Sequence, residues 1–406
     1  ISASLVGSEM CIRDSSLIFA LLCSNSAFSQ LNMSVQGHLP YNMICNDIWG
    51  WADGNGNEYA LVGTEDGVSI VDVTDPTNPT QLHWIPGVNI LWRDLKTWNG
   101  FAYVTNEESG GLLIIDLNGL PGSISTDTWD GNQGINFESA HNIFIDENGY
   151  GYIIGADYGV GGAIIVDLNN DPWVPVIAGV YDERYVHDLY VRGDTMWTGE
   201  INAGVFSVVD VSDKQNPVVM ATHPTPNTFT HNTWLSDDGH TLFTTDEVNG
   251  AYVAAYDVSD LNDIEERDRY QSNPGTNSAP HNTFVLGDFV LTSWYRDGVR
   301  VTDASNPNVM LETGYFDTSP LSGPGFNGAW GVYPYLPSGN ILVTDMEEGL
   351  FVISSNYTYG AYLTGTVTDD NDGSLLNNVE VEIVSVPGSE TETEFDGTYA
   401  TGTATA

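Results

Sequence analysis

His141-Asn142-Ile143-Phe144-Ile145 is a polar pair running straight into a short apolar stretch. The same arrangement begins at Asn46-Asp47, Arg93-Asp94, His187-Asp188, His231-Asn232 and His281-Asn282. In its most degenerate form it begins at Trp330-Gly331, and the intervals are 44 to 50 residues. Self-similarity at a fixed period of this length marks a repeat architecture, and a unit of about forty to fifty residues suits a four-stranded propeller blade. The expected fold is all-β, a seven-bladed β-propeller.

Each unit continues in the same way. After the first strand comes a turn such as Asp146-Glu147-Asn148-Gly149 or Ser236-Asp237-Asp238-Gly239, then a second strand ending in an acid, as in Leu242-Phe243-Thr244-Thr245-Asp246. A third strand carries the most recognisable words: Val68-Ser69-Ile70-Val71-Asp72-Val73, Leu113-Ile114-Ile115-Asp116-Leu117, Ile164-Ile165-Val166-Asp167-Leu168 and Phe206-Ser207-Val208-Val209-Asp210-Val211. Turns such as Asp75-Pro76-Thr77-Asn78-Pro79 then lead to a fourth strand, an edge position where a nearby proline is tolerated. The seventh unit supplies only three strands. The stretch from Leu31 to Pro40 has no blade of its own and is expected to pair as the outer strand of the last blade, closing the ring.

These third-strand words resemble the LVIVD repeat, and the series resembles the choice-of-anchor B family of secreted bacterial proteins over roughly residues 31 to 356. The resemblance implies an exported, propeller-like protein with a variable C-terminal anchor. It implies fold and location more than chemistry. From about Ala361 the pattern changes. Leu363-Thr364-Gly365-Thr366-Val367, Val379-Glu380-Val381-Glu382-Ile383 and Gly397-Thr398-Tyr399 resemble the opening of a carboxypeptidase regulatory-like β-sandwich, which the chain is expected to leave incomplete. The expected organisation is a leader with signal peptide over residues 1–29, the propeller over 30–356 and the partial sandwich over 357–406.

The run Leu17-Ile18-Phe19-Ala20-Leu21-Leu22-Cys23, followed by small residues up to Ser29, has the form of a secretory signal with a cut after Ser29. It is too short to span a membrane. Residues 1–15 resemble a stray leader, and the true start is expected to be lost. The protein is therefore expected to be secreted or held on the outer surface of a bacterium. Of three cysteines only Cys45 lies beyond the leader and signal, which leaves no intrachain disulfide and favours a buried small hydrophobe there. Fifty-five acidic residues against 10 basic ones give a formal charge of −45, which argues against nucleic-acid and anionic-lipid partners.

Adjacent antiparallel strands place the polar pairs and the second-strand acids, Glu65, Glu107, Asp157, Glu200, Asp246 and Asp345, on one face of the ring. The second member of the pair, Asp or Asn in six units, reads as a structural bond to loop backbone. The first member varies, and four histidines occupy consecutive units: His141, His187, His231 and His281. Imidazoles flanked by carboxylates suit one divalent transition metal (zinc, copper, iron or manganese), with Asp157, Glu200 and Asp246 as candidate carboxylates. Two other readings stand beside this one, in which the histidines brace neighbouring blades or contact a metal-free polar ligand. Arg93, Trp294, Tyr295 and Trp330 are candidate ligand contacts at the same mouth. Asp53-Gly54-Asn55-Gly56-Asn57-Glu58 has alternating oxygen donors like half a calcium loop, but lacks the glycine and terminal acid of one and reads as a hairpin turn.

No nucleophile elbow, phosphate loop or dinucleotide fingerprint is present. Two functions follow as expectations. One is an extracellular binding module for a protein, glycan or small polar ligand. The other is a metal-dependent exported hydrolase or oxidoreductase with its site at one mouth of the channel. Three imidazoles aimed at one point would favour the second, and imidazoles lying in separate inter-blade seams would favour bracing.

Overall fold

A computed structural model describes residues 30–386 and 388–404; the signal-peptide reading over residues 1–29 lies outside them. The chain forms seven four-stranded antiparallel blades arranged as a seven-bladed β-propeller, with no helix among the described residues. Six blades follow one another in sequence, over residues 45–86, 93–129, 142–181, 188–224, 230–270 and 283–316. The seventh joins Ala329–Tyr333, Ile341–Asp345 and Gly349–Ser355 to the N-terminal strand Met33–Leu39. That strand runs antiparallel to Gly349–Ser355, from Met33 opposite Ser355 to Leu39 opposite Leu350. The ring thus closes as the repeat count requires.

One detail differs from expectation. Gln30–Leu31 pairs with the sixth blade as a fifth strand against Leu311–Phe316, not with the seventh. Asn32 makes the step between the two sheets with φ of 53°, a left-handed conformation that asparagine tolerates better than most residues. Its amide donates to the Thr313 carbonyl at 2.8 Å. The N-terminal segment therefore links two blades as well as completing one.

The repeated third-strand words have two local causes. Their apolar positions alternate between the two faces of a blade, and both faces are covered by neighbouring blades. Ile70, Ile114, Ile165 and Val208 are accordingly buried, each in a cluster shared by adjacent blades. The terminal aspartate is a turn residue. Asp72, Asp116, Asp167, Asp210 and Asp257 each accept the backbone N–H two residues on, at 2.8–2.9 Å, and so fix the exit toward the outer strand. Between the third and outer strands the register shifts by a bulge in six of the seven blades, adding twist where the sheets must splay.

Cys45 is fully buried in the core between the first and seventh blades, where burial pushes its thiol pKa up and makes it a poor nucleophile. The Asp53 carboxylate accepts the N–H groups of Asn55 and Asn57, which closes a hairpin turn as expected. After Ser355 the chain leaves the ring along the sixth blade. The Tyr359 hydroxyl donates to Asp288, the Gly360 N–H to the Asp303 carboxylate and the Tyr362 hydroxyl to the Asp303 carbonyl. Beyond it lie two short antiparallel pairs, Ala361–Thr366 with Thr398–Thr403 and Glu380–Val381 with Thr391–Glu392. No helix among the described residues is long and apolar enough to cross a membrane.

Candidate metal centre

Each histidine of the column sits where a first strand begins. The backbone N–H groups of His141, His187 and His281 bond to the second strands of their own blades, at Ile154, Gly199 and Ser293, with distances of 2.8–2.9 Å. Those bonds fix the direction of the side chains, which meet at the channel mouth. Successive ring centroids are 4.0 Å apart for His141–His187, 4.5 Å for His187–His231 and 4.4 Å for His231–His281. Four blades thus contribute one continuous cluster, and the rings of His141 and His281 also bond their neighbouring blades, at Glu107 and at the Trp330 carbonyl, as the bracing reading expects.

The hydrogen-bond partners decide which nitrogens carry lone pairs. Nδ1 of His141 lies 2.6 Å from a Glu107 carboxylate oxygen, and Nδ1 of His281 lies 2.6 Å from the Trp330 carbonyl. Both partners only accept, so both Nδ1 atoms carry the proton in the neutral rings and both Nε2 atoms are bare. Nε2 of His141 faces Nε2 of His187 at 3.1 Å. That spacing is an ordinary hydrogen bond between the rings, and it is also close to the separation of about 3.3 Å for two nitrogens at 2.0–2.1 Å from one tetrahedral zinc ion. His187, His231 and Glu247 also bring one ligand atom each to within 4.8 Å of one another.

Glu247 completes the arrangement. Its two oxygens lie 3.6 Å from Nε2 of His231 and 3.8 Å from Nε2 of His281, and it accepts a 2.6 Å bond from the Tyr295 hydroxyl. Burial pushes its carboxyl pKa up to about 7, against the opposing bond from Tyr295. Burial also holds His187 and His231 well below the ordinary imidazole pKa, helped by neighbouring imidazoles, and brings His281 down to about 4. Neutral rings are the form that binds a metal.

This last shift has a measurable consequence in chelator-treated protein. An imidazole with an unfolded pKa near 6.5 and a folded one near 4 takes up its proton in the unfolded chain first. Its contribution to stability is therefore lost as pH falls through that window. The stability curve of a His281→Gln variant is expected to be flatter than wild type between pH 6.5 and 4, by about 3 kcal/mol at the acid end. Denaturant titrations across that range would read it, and parallel curves would contradict it.

The acids expected from sequence are placed differently. Asp157 accepts the N–H groups of Glu138 and Ser139 in a loop. Glu200 is fully buried and bonded by Tyr181, Thr198 and Arg184. Asp246 accepts from the Thr225 hydroxyl and from the N–H groups of Asn227 and Phe229. All three hold loops together, and the carboxylates that meet the rings are Glu107 and Glu247. Both follow directly on the last residue of a second strand, Asn106 and Asp246 respectively. The signal for Glu247 lay one residue beyond the acid that sequence reading singled out, because side chains alternate face along a strand.

The aromatic and basic candidates divide as well. Trp294 is fully buried, donates its indole N–H to the Ser278 carbonyl and packs against Phe243, Val253 and Val290, so it belongs to the core and not to the mouth. Tyr295, the next residue, is the one that reaches Glu247. Trp330 lines the cavity, with its ring centroid 4.9 Å from that of His281. Arg93 also lines it, but its guanidinium donates to the carbonyls of Thr64 and Val88.

Beneath the imidazoles, the second members of the pairs tie blade to blade. An Asp94 oxygen accepts the Ile143 N–H from the third blade, Asn232 accepts the Thr283 N–H from the sixth, and the Asn232 amide donates to Asp188. Their structural reading agrees with these bonds. A cavity of about 50 Å³ is lined by all four histidines together with Asp47, Trp92, Glu247 and Trp330.

No protein-family model matches the chain, and no curated protein matches it. The likeness to the LVIVD and choice-of-anchor B sequences thus remains an expectation from the repeat words, and the chemistry of the site rests on its own geometry.

Proposed function

We propose that the propeller is an exported, metal-dependent protein that holds one divalent transition metal among His141, His187, His231 and His281 at a single mouth of its channel. The observation that supports it is the convergence of four imidazoles from four blades, two with Nδ1 turned to acceptors on the far side of the ring. A carboxylate or carbonyl behind a histidine is the usual means of orienting a ligand.

Metal-bound water at such a centre would lose a proton near neutral pH, supplying the nucleophile that the sequence otherwise lacks. Glu247, whose carboxylate adjoins two of the rings, would hold the ion together with His187 and His231. Hydrolysis and oxidation–reduction are both within reach of this donor set. Export, to the medium or the outer surface, rests on the signal-like stretch before Gln30.

The test is elemental analysis of the full-length protein after dialysis without chelator, with about one equivalent of a transition metal expected. Folded protein that carries none, and takes up none from added zinc, manganese, iron or copper, would defeat the proposal and leave a metal-free binding module in its place.

A further inference from the structure

Arg93 opens the first strand of the second blade and lines the cavity beside the four histidines. Its Nε donates to the Thr64 carbonyl at 2.9 Å, and its Nη2 donates to the Val88 carbonyl. A guanidinium carries five N–H donors, so three remain, and Nη1 has no partner among the described residues. The group fits here because residue 87 is glycine. A Cβ at that position would stand 2.9 Å from Nη2 and 3.0 Å from Nη1.

The charge of Arg93 is also unanswered. The residue is only 5% exposed, yet no carboxylate lies within 4.0 Å of it. Burial lowers its pKa, and Asp66 opposes that from beyond ion-pair distance. The other buried arginine among the described residues, Arg300, has Glu312 at 3.3 Å, and the buried Lys96 has Asp94 and Asp47. A buried charge without a partner is unfavourable, so a ligand that brings the opposite charge gains where a neutral one does not.

The cavity itself sets the size of that ligand. Its volume of about 50 Å³ has room for roughly four water molecules. Ten of its twelve lining residues are polar or titratable, so what enters is a small polar group. A bound divalent ion would add its charge to that of Arg93. Asp94 is already answered by Lys96, and Glu247 and Asp47 leave an excess of positive charge even when both are ionised. The formal charge of −45 slows the approach of an anion, but salt screens it beyond about 8 Å and leaves contacts inside the cavity intact. A planar carboxylate suits both the space and the edge of a guanidinium.

We infer that the substrate of this site is a carboxylate, whose charged group enters the cavity and is held there by Arg93 beside the metal. The inference rests on the metal reading above.

Probes of equal size and different charge separate the two ideas. Full-length protein loaded with cobalt(II) would be titrated with formate, with its neutral counterpart formamide and with imidazole, following the visible cobalt bands. Formate is expected to bind more tightly than formamide. Arg93→Gln is expected to retain cobalt and the wild-type affinity for imidazole, but to bind formate at least about 10-fold more weakly. A variant that retains cobalt and binds formate as wild type does would overturn the carboxylate class and leave the metal reading standing. Absence of cobalt uptake by wild type would overturn both. Should Arg93→Gln fail to fold, chelator-treated wild type decides the matter. Thermal melts at fixed ionic strength in about 100 mM formate or formamide are expected to show stabilisation by formate alone. Equal melts in the two would overturn the role of Arg93 without recourse to a variant.

Discussion

Alanine at both His187 and His231 is expected to empty the protein of transition metal while leaving its seven blades folded. These two rings lie in the middle of the column, each in contact with the ring on either side, and together with Glu247 they form the tightest set of ligand atoms in the cluster. Removal of an outer-sphere partner alone weakens a metal by about 10- to 100-fold, so loss of two direct ligands should exceed that range. The fold should survive because neither ring carries the architecture. His187 is held through its backbone N–H, which alanine retains. His231 has no partner at Nδ1, and its Nε2 stands 3.6 Å from Glu247. Elemental analysis and thermal melts of the same preparation decide the matter. A variant that unfolds would mean that the rings brace the blades, and one that keeps its metal would move the site elsewhere.

The second large effect lies one layer deeper. Lys96 is buried in the channel wall with its ammonium 2.5 Å from Asp94, 3.8 Å from Asp47 and 4.6 Å from the centre of the Trp49 ring. Burial would raise the pKa of Asp94, but Lys96 and the bonds from Asp47 and the Ile143 N–H outweigh it and hold the carboxyl below its usual range. Asp47, by contrast, is driven well above that range by burial and by the charge of Asp94. Lys96→Ala leaves the Asp94 charge buried without its cation, and breaking a buried pair in this way costs about 3–5 kcal/mol. Denaturant unfolding at pH 7 should show the loss. The sign of its pH dependence follows from the depressed carboxyl. Stabilisation from Asp94 is present above its unfolded pKa and is lost as pH falls through the folded one, so wild type and variant should converge below about pH 4. A gap that widens in acid would place the charge of the pair elsewhere.

Much of this protein could be read from local patterns, because what specifies a blade is local. Alternation along Ile164-Ile165-Val166, the aspartate two residues before a turn N–H and the recurrence of the pair at each first strand act within a few residues of chain. Seven such units cannot bury their faces alone, so their number and the spare strand at Met33–Leu39 determine a closed ring. The histidine column was visible for the same reason, as a broken symmetry at one repeated position.

Which side chains meet was decided only by tertiary structure. Asp246 and Glu247 are neighbours in sequence, as are Trp294 and Tyr295, yet in each pair one residue supports the fold and the other faces the imidazoles. A bulge between Thr230 and Asn232 shifts the pairing where His231 enters the mouth, and a shift of one residue exchanges the two faces of a strand. The sequence by itself determined the ring and the blades from which the histidines project. The register of each strand end, set by long-range pairing that no local pattern encodes, decided that Glu247 stands beside those histidines, and that of the expected acids Glu107 meets a ring while Asp157, Glu200 and Asp246 are taken up by bonds within the fold.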